Sequence, residues 1–326
     1  MNHPFAIAAA RPGGADTLHR IELTLPDPGE GEVRLRHTAV GVNYLDIYVR
    51  EGLYPWAVER DLILGSEGAG VVESVGPGVS DLKPGDRVAY TIQNGAYATH
   101  RNAPASMLVP LPEGVGDAQA AAAMLKGLTA HYLIHDTHPV AAGETVLVHA
   151  AAGGVGLILG QWLAARGVRA IGTAGGPEKC ELARANGYAE VIDYSAEDFV
   201  ARVQELTAGE GVSVVYDGVG ADTIMGSLDC LKRFGMLVSF GQSSGKPDQL
   251  RIAHLARGSL KVTRPTLFHY VTRRDWLEPA AAELFRVISN GDVRLHIGRE
   301  APLVDAAVIH RALEGRQTSG STVLIP

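Results

Sequence analysis

Over the first third of the chain, apolar and polar residues alternate in short runs cut by glycine and proline. In "EVRLRHTAV", Val33 and Leu35 alternate with Arg34 and Arg36, and "GAGVVESVG", "DRVAYTI" and "GAYATHRNA" are of the same kind. Period-two runs separated by the turn signals "PDPGEGE" and "VGPGVSDLKPGD" predict an all-β, barrel-like domain, with a first strand over residues 5–10.

From Gly143 the period changes to strand, helix, strand. Buried strands are predicted over residues 146–150, 169–174, 190–194, 212–217, 236–240 and 260–263. A helix over 153–166 puts Val155, Ile158, Leu159 and Trp162 on one face, and a second over 178–186 ends at Gly187. Such alternation implies a parallel sheet covered on both faces. Beyond residue 268 come one helix over 278–289 and short strands ending in "GSTVLIP". A tail this small makes a poor core alone, so it is expected to rejoin the first domain. The expected class is α/β, with domains over 1–123 plus 268–326 and over 124–267.

The 326 residues, 46% of them hydrophobic, suffice for two buried cores. A formal charge of −7 and the lack of any Lys/Arg stripe argue against nucleic-acid or anionic-membrane partners. Cys180 and Cys230 are the only cysteines, too few and too isolated for a disulfide framework or a CxxC metal clip. No apolar window reaches the ~18 residues that span a bilayer, and "MNHPFAIAAARPGG" lacks the basic start of a signal peptide. A cytoplasmic protein is expected.

"HAAAGGVG" opens the helix after the strand over 146–150. Ala151-x-Gly153-x-x-Gly156 is the dinucleotide fingerprint with Ala in the first place, where missing side chains let a pyrophosphate reach free N–H groups. The bland reading is a tight turn for close helix–sheet packing. About 20 residues on, NAD sites carry an acid on the ribose; here "GTAGGPEK" has none at the strand end, and Lys179 is placed for a 2′-phosphate, or is simply a solvated lysine. NADPH is the expected cofactor.

The stretches "GETVLVHAAAGGVGLILGQ", "LKGLTA", "VVYDGVG", "LVSFGQSSG" and "VTRPTL" resemble the zinc-free quinone oxidoreductases of the medium-chain dehydrogenase/reductase superfamily, as do "GVNYLDIYVREGLYP" and "GSEGAGVVESVGPGVSDLKPGDRVAY". The resemblance covers essentially the whole chain. It implies a GroES-like β-barrel catalytic domain plus a six-stranded parallel Rossmann domain, and a homodimer or higher homo-oligomer. It places Asn43, Tyr44, Asp46 and Tyr48 near the nicotinamide. Thr129, Ala151, Ala152, Gly153, Gly154 and Val155 would hold the middle of the cofactor. Gly172, Thr173, Gly175, Lys179 and Tyr194 would surround the adenosine phosphate. Gly218, Phe240, Gly241, Gln242, Ser243, Pro265, Thr266 and Leu267 would follow the later strands, with Arg316 a late anionic contact. Taken without the family, Tyr194 reads as a packing residue and Arg316 as a surface arginine.

Zinc-dependent relatives carry a Cys and a Gly-His-Glu motif where this chain has Asn43 and Gly65-Ser66-Glu67, so no metal is expected, and Glu67 is read as a structural hydrogen-bonding group at a tight turn. His131, His135 and His138 would share one helix face, a weak metal candidate. Without a metal to stabilise an alkoxide, acceptors that take hydride readily are favoured, quinones first. Asn43, Tyr48 and Tyr54 are the candidates to orient the acceptor or donate to its oxyanion, with Tyr44, Trp56 and Phe268 as an apolar wall. Any one of these tyrosines could equally be core. The alternatives are C=C reduction of enones or 2-alkenals and, from another class, an RNA-binding or structural protein.

Overall fold

The computed structural model describes residues 3–56 and 58–326. The chain forms two compact units, one of residues up to Leu128 with Phe268–Ser289 and Leu295–Pro326, the other of Thr129–Leu267 with Asn290–Arg294.

The backbone of the first unit is the eleven-residue strand Glu32–Val42. It pairs antiparallel with Glu67–Val75, His100–Pro104 and Ser321–Ile325, and the sheet continues through Arg87–Thr91 to Leu108–Pro110 and, at its other edge, Ile297–Pro302. Register irregularities between Arg34 and Leu35 and between His37 and Ala39 bend this strand, which lets one end pair with His100–Pro104 and the other with Ser321–Ile325. A second sheet holds Leu18–Glu22, Phe5–Ala9 and Leu62–Ile63. The alternating residues Val33, Leu35, Val88, Tyr90, Leu108 and Leu324 fill the core with Leu64 and Ile309. The pattern held no counterpart of the short helix Tyr44–Arg50 directly after Asn43, or of the helix Ala306–Glu314 in the tail.

The second unit has six parallel strands. In space they run Glu190–Asp193, Arg169–Ala174, Thr145–Val148, Val212–Asp217, Leu231–Ser239 and Lys261–Thr263, which in chain order is 3-2-1-4-5-6. The sheet reverses direction of growth at Thr145–Val148, the place where such folds open a crevice for a ligand. Helices Gly154–Ala165 and Pro177–Arg184 follow the first two strands. The fifth strand begins at Leu231 instead of residue 236, across a register shift and a left-handed Phe234 (φ 65°) that an alternation reading does not see.

Two helices differ from expectation for local reasons. Arg274–Ser289 starts four residues early and runs through Pro279, with Arg274 and Glu278 paired at 2.6 Å across one turn. Helix Asp117–Tyr132 passes into a π turn over Leu133–Thr137, whose extra residue changes the phase. His131 and His135 stack at 4.3 Å and meet Trp162 edge-on, whereas His138 lies beyond the turn and pairs with Glu144 at 2.9 Å. The three imidazoles therefore do not form one cluster. Among the described residues no helix is long and apolar enough to cross a membrane.

Candidate active site

In the second unit, every expected cofactor stretch after Thr129 sits at the C-terminal end of a strand. Residues 151–155 follow the first strand, Gly172–Gly175 close the second, Tyr194 follows the third, Gly218 the fourth, residues 240–243 the fifth and Pro265–Leu267 the sixth. All six strands are parallel, so these stretches share one edge of the sheet. Thr129 is buried on the preceding helix.

The loop after Thr145–Val148 is tightly built. Ala150 is left-handed (φ 54°), and Ala151, fully buried, donates its N–H to the Thr173 carbonyl at 2.9 Å. Gly153 caps the helix that begins at Gly154. A Cβ on Gly156 would run into the carbonyl oxygens of Ala150 and Ala151, so only glycine lets the helix come this close. The first-turn N–H groups have no acceptor within the helix and face outward for an anion.

Beneath the loop, His149 ties three strand ends together. Its Nδ1 lies 2.9 Å from Thr173 Oγ1 and its Nε2 3.0 Å from Ser227 Oγ, which in turn donates to Asp217 Oδ2 at 3.2 Å. Since the Ser227 proton goes to Asp217, Nε2–H is the donor toward Ser227, and burial holds the ring neutral, its pKa lowered. Asp217 also accepts from the N–H groups of Val219 and Gly220 and from Thr223. Thr173 therefore turns its hydroxyl inward, toward His149.

At the next strand end, Tyr194 packs on Gly175. The Tyr194 ring lies where a Gly175 Cβ would be, at 2.6–3.0 Å, and is 47% exposed. Lys179 occupies the first turn of Pro177–Arg184, capped by left-handed Gly176 (φ 87°). That strand end carries no acid of its own, and the neighbouring strand brings Asp193 beside it. Asp193 Oδ1 accepts from Gly176 N–H at 2.9 Å and from Ser195, and these bonds hold its pKa low. Farther along, Gly218 leaves room for the Phe240 ring, Gly241 packs on the Gly218 carbonyl, Ser243 N–H reaches Gly218 O at 3.3 Å, and Gln242 accepts from Arg264.

In the first unit, Asn43 caps helix Tyr44–Arg50 in extended backbone (φ −137°). Its backbone N–H donates to Asp46 Oδ2 at 2.9 Å, and its side-chain Nδ2 to Glu67 Oε1 at 2.9 Å. Glu67 is fully buried; Oε1 also takes Lys126 Nζ at 2.5 Å, and Oε2 takes Leu125 N–H at 2.6 Å. Gly41 makes this possible, because a Cβ there would occupy the space of the Glu67 side chain. Glu67 is thus no mere turn residue but the acceptor around which Asn43 and Lys126 gather.

Asp46 faces inward. Its carboxylate accepts from Asn43 N–H, from Ser66 Oγ at 3.2 Å and from the Tyr97 hydroxyl at 3.0 Å. Burial nevertheless outweighs these donors and pushes its pKa up to about 7. Behind Tyr97 lies His310, Nε2 to the hydroxyl at 2.9 Å, and Arg50 donates to His310 Nδ1 at 3.1 Å. An arginine can only donate, so His310 is the neutral Nε2–H form, its pKa lowered to about 3 by burial and by Arg50. Arg50, fully buried, ends the chain on Glu314 Oε1 at 2.5 Å.

Tyr44 and Tyr48 on this helix and Tyr54 beyond it form a row with ring centroids 6.0 and 6.3 Å apart, and Trp56 Nε1 donates to Val49 O. Tyr44 spends its hydroxyl proton on the Leu313 carbonyl. Phe268 opens the helix Phe268–Val271, and Arg316 is exposed and left-handed (φ 56°) after Ala306–Glu314. Pattern reading missed Lys126, Tyr97, His310 and Arg50. For Lys126 a signal existed, one charge inside the apolar run "AAAAMLKGLTA"; the other three are brought together only by folding.

Residues 29–142 match the family described as the alcohol dehydrogenase GroES-like domain, and residues 154–285 that described as zinc-binding dehydrogenase. The chain is 49% identical over 316 residues to a quinone oxidoreductase of Pseudomonas aeruginosa, covering 96% of this chain and 97% of that one. It is 44% identical to a 2-haloacrylate reductase of a Burkholderia species, covering 96% of each. A crystal structure of Escherichia coli quinone oxidoreductase complexed with NADPH superposes with a TM-score of 0.96 at 44% identity, over 99% of this chain and 100% of that one. With its two-unit α/β fold, the parallel six-stranded sheet and this full-length identity, the chain belongs to the quinone oxidoreductase family of the medium-chain dehydrogenases/reductases.

Proposed function

We propose that this protein reduces quinones with NADPH, by hydride or stepwise electron transfer and without a metal ion. The observation that supports the reading is the edge of the second unit's sheet, where a glycine-lined loop lies among the C-terminal ends of six parallel strands. A bound NADPH supplies the hydride. The chain's own residues do the rest. The first-turn N–H groups at Gly154 and Val155 take the pyrophosphate, and Gly175, Lys179 and Tyr194 the 2′-phosphate. Asn43, Tyr48 and Tyr54 are assigned to the nicotinamide and acceptor side.

Zinc does not suit the donor set. Asn43 and Ser66 are not usual zinc ligands, and Glu67 already neutralises the Lys126 ammonium at 2.5 Å. The test is cofactor oxidation at 340 nm, the absorbance of reduced nicotinamide, with NADPH or NADH against a small benzoquinone and a small enone. Fast NADPH-dependent turnover of the quinone is expected. The enone arm is included because a relative 44% identical is a 2-haloacrylate reductase; preference for the enone would replace quinone reduction by C=C reduction, and no turnover with either would overturn the reading.

A homodimer in the cytoplasm completes the proposal. The sheet ends on the edge strand Lys261–Thr263, and two large apolar side chains, Phe234 (70% exposed) and Ile252 (88%), stand on the unit that carries it. Sedimentation should give twice the chain mass, and a monomer would remove the dimer from the proposal.

A further inference from the structure

On the Asn43 side of the protein, Lys126 has bonding capacity to spare. Its ammonium carries three N–H bonds, yet among the described residues Glu67 Oε1 is its one acceptor at hydrogen-bond distance. Asn43 Nδ2 donates to the same oxygen at 2.9 Å. Two donors on one acceptor stand within about 5 Å of each other, and each has an N–H left over. Glu67 is fully buried while 7% of the Lys126 side chain stays exposed, so the lysine is the member of the pair that solvent reaches. A buried ion pair adds little net stability over apolar residues of the same size. The pair is better explained by a use for its charge.

We propose that Lys126, held by Glu67, is a catalytic residue that binds the oxygen of the acceptor and gives it a proton, with Asn43 as the second donor. This rests on the reading of the chain as an NADPH-dependent reductase. An acceptor that has received a hydride, two electrons and one proton in all, holds a negative charge on oxygen. The oxygen takes a proton from Lys126: the N–H bond breaks, its electron pair stays on Nζ, and an O–H bond forms. The neutral amine then takes a proton from water. Glu67 neither gives nor takes a proton and acts as a positioning residue. A fixed cation beside an amide N–H thus does for a developing oxyanion what a metal does in other dehydrogenases.

The test uses 4-nitrophenol, whose phenolate is coloured and resembles the reduced quinone anion, bound to the full-length protein without turnover. Wild-type protein should raise its ionisation constant by about tenfold or more, the worth of one charge-assisted hydrogen bond. Lys126→Met should abolish that shift and lower kcat with quinone by about 100-fold, general-acid catalysis being worth that much, while the NADPH dissociation constant stays within about twofold. Because Lys126→Met leaves the Glu67 carboxylate buried and unpaired, the same measurements are made on Glu67→Gln/Lys126→Met, which removes both charges. Loss of both the phenolate shift and kcat in the two variants supports the proposal. Retention of either, or a wild-type protein that leaves nitrophenol ionisation as in water, overturns it. Wild-type turnover separates this from the broader reading. Quinone reduction that survives a failed phenolate test removes Lys126 alone, whereas absence of any NADPH-dependent reduction removes both.

Discussion

The Tyr97 hydroxyl donates to Asp46 Oδ2 at 3.0 Å while accepting from His310 Nε2 at 2.9 Å, and so links the start of helix Tyr44–Arg50 to the distant helix Ala306–Glu314. All three side chains are buried, and Tyr97 is the only bridge between the other two among the described hydrogen bonds. Tyr97→Phe keeps the ring and deletes the bridge. It should cost about 1–3 kcal/mol, because a buried donor and a buried acceptor both lose their partner. Urea unfolding measures this, and an unchanged midpoint would show that the bridge contributes nothing.

The buried acid and the buried imidazoles titrate in opposite senses. Asp46 has a folded pKa of about 7 against an ordinary value near 4, so the folded state holds its proton longer and this group's contribution falls as pH rises from about 4 to about 7. His37, bonded to Ala98 O and the Tyr90 hydroxyl, is held near 3 by burial, so its contribution is complete above about 6.5 and is lost as pH falls toward 3. Relative to wild type, Asp46→Asn should therefore improve as pH rises from 4 to 7. His37→Gln should improve as pH falls from 6.5 to 4. Urea melts across that range test both signs, and parallel pH curves for wild type and variants would contradict them.

The proposed place of Lys179 at the 2′-phosphate predicts a difference between the two dinucleotides. Lys179→Ala should raise the KM for NADPH by about 10–100-fold, one charge-assisted bond to phosphate, and leave that for NADH nearly unchanged. Equal effects on both would take Lys179 out of the 2′-phosphate site.

Gly156 has no room for a side chain. Gly156→Ala forces helix Gly154–Ala165 away from the carbonyls of Ala150 and Ala151 and should cost about 1–3 kcal/mol of stability. The same shift moves the first-turn N–H groups, so NADPH affinity, followed by its fluorescence, should fall by about tenfold or more. Wild-type affinity in the variant would show that the loop does not hold the pyrophosphate.

Metal analysis of the purified protein should find no stoichiometric zinc, and chelation should leave activity unchanged. One zinc per chain would overturn the metal-free reading.

Periodicity was a sound guide where one local rule governs many residues. The alternation of Val33 and Leu35, the six buried runs and the Ala151–Gly156 spacing report on strand faces and on a single turn, all decided within a few residues of chain. Phase errors came where one residue broke the rule, as at left-handed Phe234 and in the π turn Leu133–Thr137 that sends His138 to Glu144. The bond from Gly176 N–H to Asp193 could not be read from spacing, because the acid comes from a neighbouring strand.

The chain's linear pattern thus carried the β unit, the parallel sheet and the tight glycine loop after its first strand, because backbone geometry and side-chain alternation are local. Nothing in that pattern could show that Lys126 and Asn43 meet on Glu67, or that Asp46, Tyr97, His310 and Arg50 form one line of hydrogen bonds. Those residues lie up to 267 positions apart (Asn43 to His310) and touch only when the strands and helices pack. Burial then sets their chemistry, raising the pKa of Asp46 and lowering that of His310 through the loss of water, which no spacing of letters records.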